Sequence, residues 1–292
     1  MGAFTGNEIT LETKNLVLHG KQWGRRGGRP VLALHGWLDN AASFDHLAPL
    51  LKDVNLIALD LPGHGYSNHY PPGFHYHLID LVQAVFDASI ALKWSHFTLL
   101  GHSLGGIIGS LLAASFPESV DALVLIDSLG PVTEDVSQAP TRMGKAIRAI
   151  LAPPKESRNI YPDLNAAITM RQQSGDLTYE AASVLTQRGT GKVTEGLVWR
   201  FDPKLLTPSI FYFTESQARA FLSAIEAPTL CIEAKKGLLV RANKKLLKER
   251  KACVSKLKHV SLTGGHHLHL EEPQSVAEVI NQFLEEYGPN IP

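Results

Sequence analysis

The chain has 292 residues, 44% hydrophobic and 19% charged, with 28 Lys/Arg balancing 28 Asp/Glu. That is enough sequence and apolar content for a substantial core in one large or two modest domains, and the even charge gives no reason to expect a nucleic acid or polyanionic partner. Two cysteines, Cys231 and Cys253, make no disulfide framework, and no apolar run approaches the ~18 residues of a membrane span. The opening Met1-Gly-Ala-Phe-Thr-Gly lacks a charged-then-apolar leader pattern, so a soluble, cytoplasmic chain is expected.

In chain order, Ile9–Leu11 and Asn15–His19 read as short opening strands. A Gly/Arg turn leads to Val31–Leu34, a continuous apolar run of the kind buried on both faces of a parallel sheet. It ends in His35-Gly36-Trp37. A helix is predicted over Ala41–Leu51. A strand follows over Val54–Leu59 and ends in Asp60-Leu-Pro-Gly63-His64-Gly65-Tyr-Ser67. A helix over Leu78–Leu92 precedes the apolar run Phe97–Leu100. There the chain reads Gly101-His102-Ser103-Leu104-Gly105-Gly106 and enters a second helical pattern. Strand, sharp turn and helix around Gly-x-Ser-x-Gly make a nucleophile elbow with Ser103 at its apex. Three fixed positions match by chance in about one chain in ten of this length, so it is the strand-turn-helix setting that carries the reading. The helix start aims free N–H groups and its positive dipole end at the serine, where an acyl-transfer oxyanion would develop.

Ala122–Ile126 is another buried strand, ending at Asp127. Strand and helix have alternated to this point, which predicts an α/β fold with a parallel sheet, and His35, Asp60, Ser103 and Asp127 all stand at carboxyl ends of strands, where such folds collect ligands. The rhythm then breaks. Residues 131–213 offer helical patches at Met143–Leu151, Leu164–Ser174 and Tyr179–Gly189, punctuated by Pro140, Pro153-Pro154, Pro162, Pro203 and Pro208, and no good strand run. This predicts a helical lid between two parts of the core, residues 1–130 and 214–292. Alternation resumes with a helix over Glu215–Ile225, a strand over Pro228–Ala234, a helix over Arg241–Lys251, a strand over Lys258–Leu262, the turn Gly264-Gly265-His266, and a closing helix over Gln274–Tyr287.

His35-Gly36-Trp37, Asp60 to Ser67, the serine elbow, and Gly265-His266 with His269-Leu-Glu271, in this order on these strand ends, resemble the α/β-hydrolase superfamily across nearly the whole core. The Asp127-Ser-Leu-Gly-Pro131 entry to the lid and its Phe211-Tyr-Phe-Thr-Glu-Ser-Gln217 exit resemble the serine hydrolase-like branch. The resemblance implies a mostly parallel doubly wound sheet and a cofactor-independent catalytic triad. Ser103 is then the nucleophile and His266 the base, with His267 as a rival next door and His269 supporting the loop. The backbone N–H groups of Trp37 and Leu104 would form the oxyanion hole. His102 and the Trp37 side chain are expected to line the pocket, and His35 to brace its loop.

The acid is the open position. Most relatives carry it after the strand that is Pro228–Ala234 here, where this chain has Gly237, and there is no carboxylate from Ala234 to Lys248. Some members place it one strand earlier. That favours Asp127, with Glu233 as the alternative and a catalytically degraded site as a third possibility. The expected reaction is hydrolysis of small to medium, fairly apolar carboxylic esters through an acyl-enzyme, with no metal and no cofactor. Serine rather than aspartate at 103 argues against an alkyl-enzyme ester. Lactones, thioesters and C–C bonds fit the same machinery, and a small-molecule receptor with weak turnover is the reading from a different class. His64, His69, His75 and His77 lie close in sequence but at spacings that fit no ordered metal site. Residues 235–258 hold ten Lys/Arg against Glu249 alone. Such a run is either a solvated helix face or a site for an anionic substrate tail or an acidic surface.

Overall fold

The computed structural model describes residues 6–152, 159–175 and 177–287; the first five residues and Pro153-Pro154 lie outside them. Eight strands form one sheet: β1 (Asn7–Glu12), β2 (Val17–Gly24), β3 (Arg29–Leu34), β4 (Val54–Leu59), β5 (Phe97–His102), β6 (Val120–Ile126), then β9 (Thr229–Ala234) and β10 (Leu257–Leu262). Their order is β1-β2-β4-β3-β5-β6-β9-β10. The β1/β2 and β2/β4 pairs are antiparallel and every other pair is parallel. The central strands β5 and β6 are buried almost end to end, as strands covered on both faces must be.

Two apolar clusters cover the two faces. On one, α10 (Pro273–Glu286) sets Val276, Ala277, Ile280, Phe283 and Leu284 against β3, β4, β6 and β9. That spacing is the apolar stripe of a 3.6-residue period, and Pro273 at its start costs no hydrogen bond. On the other face lie α1 (Leu78–Ala91), α2 (Leu104–Ser115) and α6 (Glu215–Ser223). A capping box between Thr214 and Gln217 starts α6 where the chain returns to the core. The chain runs from β3 to β4 on one side and then crosses to β5 on the other. The strand order therefore reverses beside β3, and a crevice opens at the carboxyl ends of β3, β5 and β6.

Several elements differ from the sequence expectation. Ala41–Leu51 is two 3-10 turns, Ala41–Phe44 and Ala48–Leu50, rather than a helix. Pro49 has no N–H to continue a helix, its ring would press on the preceding turn, and Ala41 to Phe44 are buried all round rather than along one stripe. The helix expected from Arg241 is split into α7 (Leu238–Arg241) and α8 (Lys244–Cys253), because the Asn243 side chain caps the Lys245 and Leu246 amides and starts a new helix there. Between β6 and α6 the chain inserts α3 (Ala139–Leu151), α4 (Leu164–Gly175) and α5 (Tyr179–Gly189), as the patches predicted, and also a hairpin that they did not. Its strands β7 (Thr190–Val193) and β8 (Gly196–Trp199) are only four residues each. They turn at Gly196, whose φ of 147° suits glycine.

The inserted segment is bound to the core by buried polar contacts. Arg188 on α5 donates from Nη2 to Asp60 at the end of β4 (2.8 Å) and from Nη1 to Glu8 on β1 (2.6 Å). Asn40 Nδ2 donates to the Leu185 carbonyl (2.9 Å) and the Tyr76 hydroxyl to Asp202 (2.8 Å). No described helix is long and apolar enough to cross a membrane. Cys231 and Cys253 are both free thiols.

Candidate active site

Ser103 sits between β5 and α2 with φ 51° and ψ −114°, a strained left-handed backbone for a residue with a side chain. The turn closes only because its flanks are glycines. A Cβ on Gly101 would strike the backbone of Gly105, and one on Gly105 would strike the Leu34 carbonyl of β3. The strain holds Ser103 at the amino end of α2, whose first N–H, that of Leu104, has no carbonyl within the helix to donate to.

Behind the serine, His266 Nδ1–H donates to Asp127 Oδ2 at 2.6 Å. Asp127 follows β6, is 2% exposed, and has φ 47°, a second left-handed residue at a strand end. Its carboxylate also accepts the Leu238 amide at 2.6 Å and the Leu239 and Ala234 amides at 3.4 Å. These bonds join the ends of β6 and β9 and fix the carboxylate's direction. The vacancy of acid at 237 has a steric counterpart, since a Cβ there would come within 2.5 Å of Asp127 Cγ. Glycine at 237 and aspartate at 127 are one arrangement: the carboxylate fills the space a side chain from the β9 turn would need.

The alternative acid is engaged elsewhere. Glu233 accepts Lys251 Nζ at 2.9 Å and lies 3.2 Å from His259 Nε2. Burial pushes its carboxyl up, but Lys251 and then His259 outweigh this and leave it below the ordinary glutamate value. His267, the alternative base, is buried, with Nε2 3.1 Å from Asp39 Oδ2.

The loop after β3 is braced by two neutral histidines. His35 Nδ1–H donates to the Gly36 carbonyl (2.7 Å) and Nε2 accepts the Leu61 amide (3.0 Å). His64 Nδ1–H donates to the Pro62 carbonyl (3.0 Å) and Nε2 accepts the Leu38 amide (3.2 Å). Burial, with His35 beside it, pushes His64 down to about 3. Together they hold the Trp37 backbone beside the crevice, while the Trp37 side chain is 52% exposed at its mouth. Asp60 is wholly buried, accepting the Ala41 amide (2.7 Å), the Tyr66 amide (2.9 Å) and Arg188, and so shapes the turn without entering the crevice.

His102 reaches the crevice floor but exposes none of its surface. Its Nε2–H donates to the His266 carbonyl at 2.9 Å, so it carries the His266 loop rather than offering a face to the crevice. Burial, then the rings of His269, His266 and His267, hold it well below the usual histidine value and keep it neutral. His269 is likewise buried, within 2.7 Å of Ser43 Oγ, in the supporting place expected for it.

Sequence reasoning missed Asp39 and Arg171. Asp39 is fully buried; Arg171 from α4 donates to its Oδ1 (2.6 Å), while its Oδ2 faces His267 (3.1 Å) and His102 (3.8 Å). Burial alone would raise this carboxyl, but His267 and Arg171 hold it well below the ordinary aspartate value. Arg171 is a lone cation in a segment with no motif, so only the fold brings it to the loop after β3. The ligand-type atoms of Asp39, His102 and His267 lie within 4.8 Å of one another; the ion pair with Arg171 and the bond to His267 account for that convergence. The histidines at 64, 69, 75 and 77 do not converge: His64 braces the loop, His69 Nε2 lies 2.9 Å from the Arg200 carbonyl, and His77 precedes α1.

Ser103, His266, Trp37, His102 and His267 border one crevice of 540 Å³. Against known proteins, residues 29–183 match the family model described as the α/β hydrolase fold. A human protein, serine hydrolase-like protein 2, is 34% identical over 91% of this chain and 90% of its own length. A mouse serine hydrolase-like protein is 36% identical over 98% and 97%. Among solved structures, a hypothetical protein from Pseudomonas aeruginosa PAO1 superposes with a TM-score of 0.91 at 37% identity, covering 95% of this chain and 99% of that one. The thioesterase domain from the curacin biosynthetic pathway follows at 0.84 and 25%, with 95% and 99% covered. With its eight-stranded, mostly parallel sheet, its strained serine elbow and these relatives, the chain belongs to the α/β-hydrolase fold family, among its serine hydrolase-like members.

Proposed function

We propose that the protein cleaves carboxylic esters by acyl transfer through Ser103, with His266 as base and Asp127 as the triad acid. The observation that carries the reading is the 2.6 Å bond from His266 Nδ1 to a buried Asp127, in the crevice that Ser103 borders. With Nδ1–H committed to the carboxylate, the other nitrogen, Nε2, carries the lone pair that can take the Ser103 proton. Ser103 Oγ then attacks the acyl carbon, and the Trp37 and Leu104 N–H groups receive the negative charge that develops on the carbonyl oxygen. His266 returns the proton to the leaving alcohol, and a water that it deprotonates releases the acid. Asp127 keeps the imidazole in this tautomer and stabilises the imidazolium.

The segment 131–213 acts in this reading as a lid. Its Arg171 reaches Asp39, two residues after Trp37, and ties the lid to the loop that supplies an oxyanion donor. Thioesters follow the same steps, and the likeness to a thioesterase domain at 25% identity favours them as a second substrate type. The receptor-like alternative was motivated by the missing acid at Gly237, and a carboxylate on His266 from the neighbouring strand supports the hydrolase instead.

A fluorophosphonate probe tests the proposal. Covalent labelling of the folded wild type that disappears in Ser103→Ala is the expected result. A folded wild type that takes up no label would overturn it.

A further inference from the structure

The crevice is more polar than the sequence led us to expect. Three apolar side chains, Trp37, Leu38 and Leu238, border it, beside three cations, Arg171, Lys236 and Arg241. Arg171 is committed to Asp39, the one carboxylate on the lining among the described residues. The other two belong to the basic run of residues 235–258, and the fold sorts that run. Arg250 pairs with Glu215 (2.7 Å), Lys251 with Glu233 (2.9 Å) and Lys258 with Glu286 (2.7 Å). Lys236 and Arg241 stand on the crevice rim, and among the described residues neither has a carboxylate at ion-pair distance.

They are also held together. Arg241 Nη2 donates to the Lys236 carbonyl at 3.2 Å, which keeps two like charges on one rim. The backbone between them is pinned from below, because Asp127 accepts the Leu238 amide at 2.6 Å. The rim is therefore in fixed register with the triad. Two cations with no carboxylate partner among the described residues, set in a cleft with low-dielectric walls, focus a positive potential into it, and an anionic group placed there removes their mutual repulsion.

We propose that Lys236 and Arg241 form an anion subsite, and that the substrate is an ester or thioester carrying a carboxylate or phosphate group away from the bond that is cleaved. This rests on the hydrolase reading above and narrows its substrate class from carboxylic esters and thioesters in general to anionic ones.

The test compares kcat/KM for matched esters. One pair places the charge on the acyl side: mono-para-nitrophenyl glutarate against para-nitrophenyl valerate. The other places it on the leaving group: para-acetoxybenzoate against para-acetoxyacetophenone. Wild type is expected to prefer the anionic member of at least one pair, and the pair that shows it tells which side of the substrate meets the rim. In Lys236→Gln/Arg241→Gln that preference should fall about tenfold, a modest factor because rim charges remain hydrated. In Lys244→Gln/Lys248→Gln, which removes the same charge from the basic run outside the crevice, it should persist. Added salt should erode it in wild type. If the neutral esters are cleaved and neither anionic one is preferred, or if the two double variants lose the preference equally, the subsite is refuted while the hydrolase stands. If none of the four esters is cleaved, both readings fall.

Discussion

Exchanging residues 127 and 237 asks whether the carboxylate behind His266 must come from β6. A Cβ at residue 237 would lie 2.5 Å from Asp127 Cγ, against the ~3.5 Å at which carbon atoms rest comfortably. Gly237→Ala therefore has to displace the carboxylate or the β9 turn by about 1 Å. The bonds to His266 Nδ1 and the Leu238 amide, both 2.6 Å, do not survive such a shift. A misplacement of that size costs turnover about 100-fold, and overpacking costs about 1–3 kcal/mol of stability. Asp127→Gly removes the carboxylate, at about 10⁴-fold in turnover, while suiting a backbone at φ 47°. In Asp127→Gly/Gly237→Asp the new side chain starts from an ordinary φ of −84° and enters the space the old carboxylate has left. Gly237→Asp alone should thus be at least as impaired as Gly237→Ala, and the double variant should recover tenfold or more over Asp127→Gly. Acylation by para-nitrophenyl acetate reads the chemistry, and a thermal melt of each variant reads the fold. A Gly237→Ala protein with unchanged rate and melting temperature would refute the steric account, and a double variant no faster than Asp127→Gly would refute the equivalence of the two positions.

Other expectations follow from the buried charges. Arg171→Met leaves Asp39 with less compensation in a site 1% exposed, and should cost about 3 kcal/mol; a double-mutant cycle with Asp39→Asn in urea should return a coupling above 1 kcal/mol, and no coupling would mean that the pair does not tie α4 to the loop after β3. Arg188→Met strands the wholly buried Asp60 and should cost about 3–5 kcal/mol by the same measurement. Acid should destabilise the protein through His64. Its folded value of about 3 is depressed below 6.5, so the unfolded chain binds the extra proton between those limits. The stability is fully present above pH 6.5 and is lost as pH falls toward 3, about 2 kcal/mol by pH 5. Urea midpoints at pH 7.5 and 5 check this, and the difference should shrink in a folded His64→Gln variant.

Much of the fold was legible because buried parallel strands are written as unbroken apolar runs. Val31–Leu34 and Ala122–Ile126 needed no partner to be recognised, Val54–Leu59 is interrupted only by Asn55, and the polar residues that follow them, His35, Asp60 and Asp127, are buried supports rather than crevice lining. Ser103 was legible through its glycines, whose absence of side chains is a local requirement. What escaped was decided at a distance. The hairpin of β7 and β8 is too short to show a period, and it forms against its own neighbour rather than the main sheet. Asp39 was one acid in a loop until Arg171, 132 positions later, folded over it. The basic run gave no internal sign of which cations would find carboxylates, because Glu215, Glu233 and Glu286 lie outside it or across the sheet. Where the apolar residues of the inserted segment would be placed was hidden for a related reason. Ile168, Leu177 and Leu185 of that segment form a small core of their own with Leu270, and do not line the crevice.

The guanidinium of Arg188 touches three parts of the chain that are remote in sequence: the first strand, the turn after β4, and the inserted helix that carries it. An insertion is ordinarily the piece of a protein that can be trimmed, swapped or grafted without harm to its host. Here excision of residues 131–213 would leave the buried Asp60 carboxyl without its guanidinium partner in the turn that braces the loop after β3, and would release Glu8 from the edge of the sheet. Core and insertion are therefore expected to melt as one cooperative body. Any natural or engineered exchange of the inserted segment must bring a cation of its own to that place.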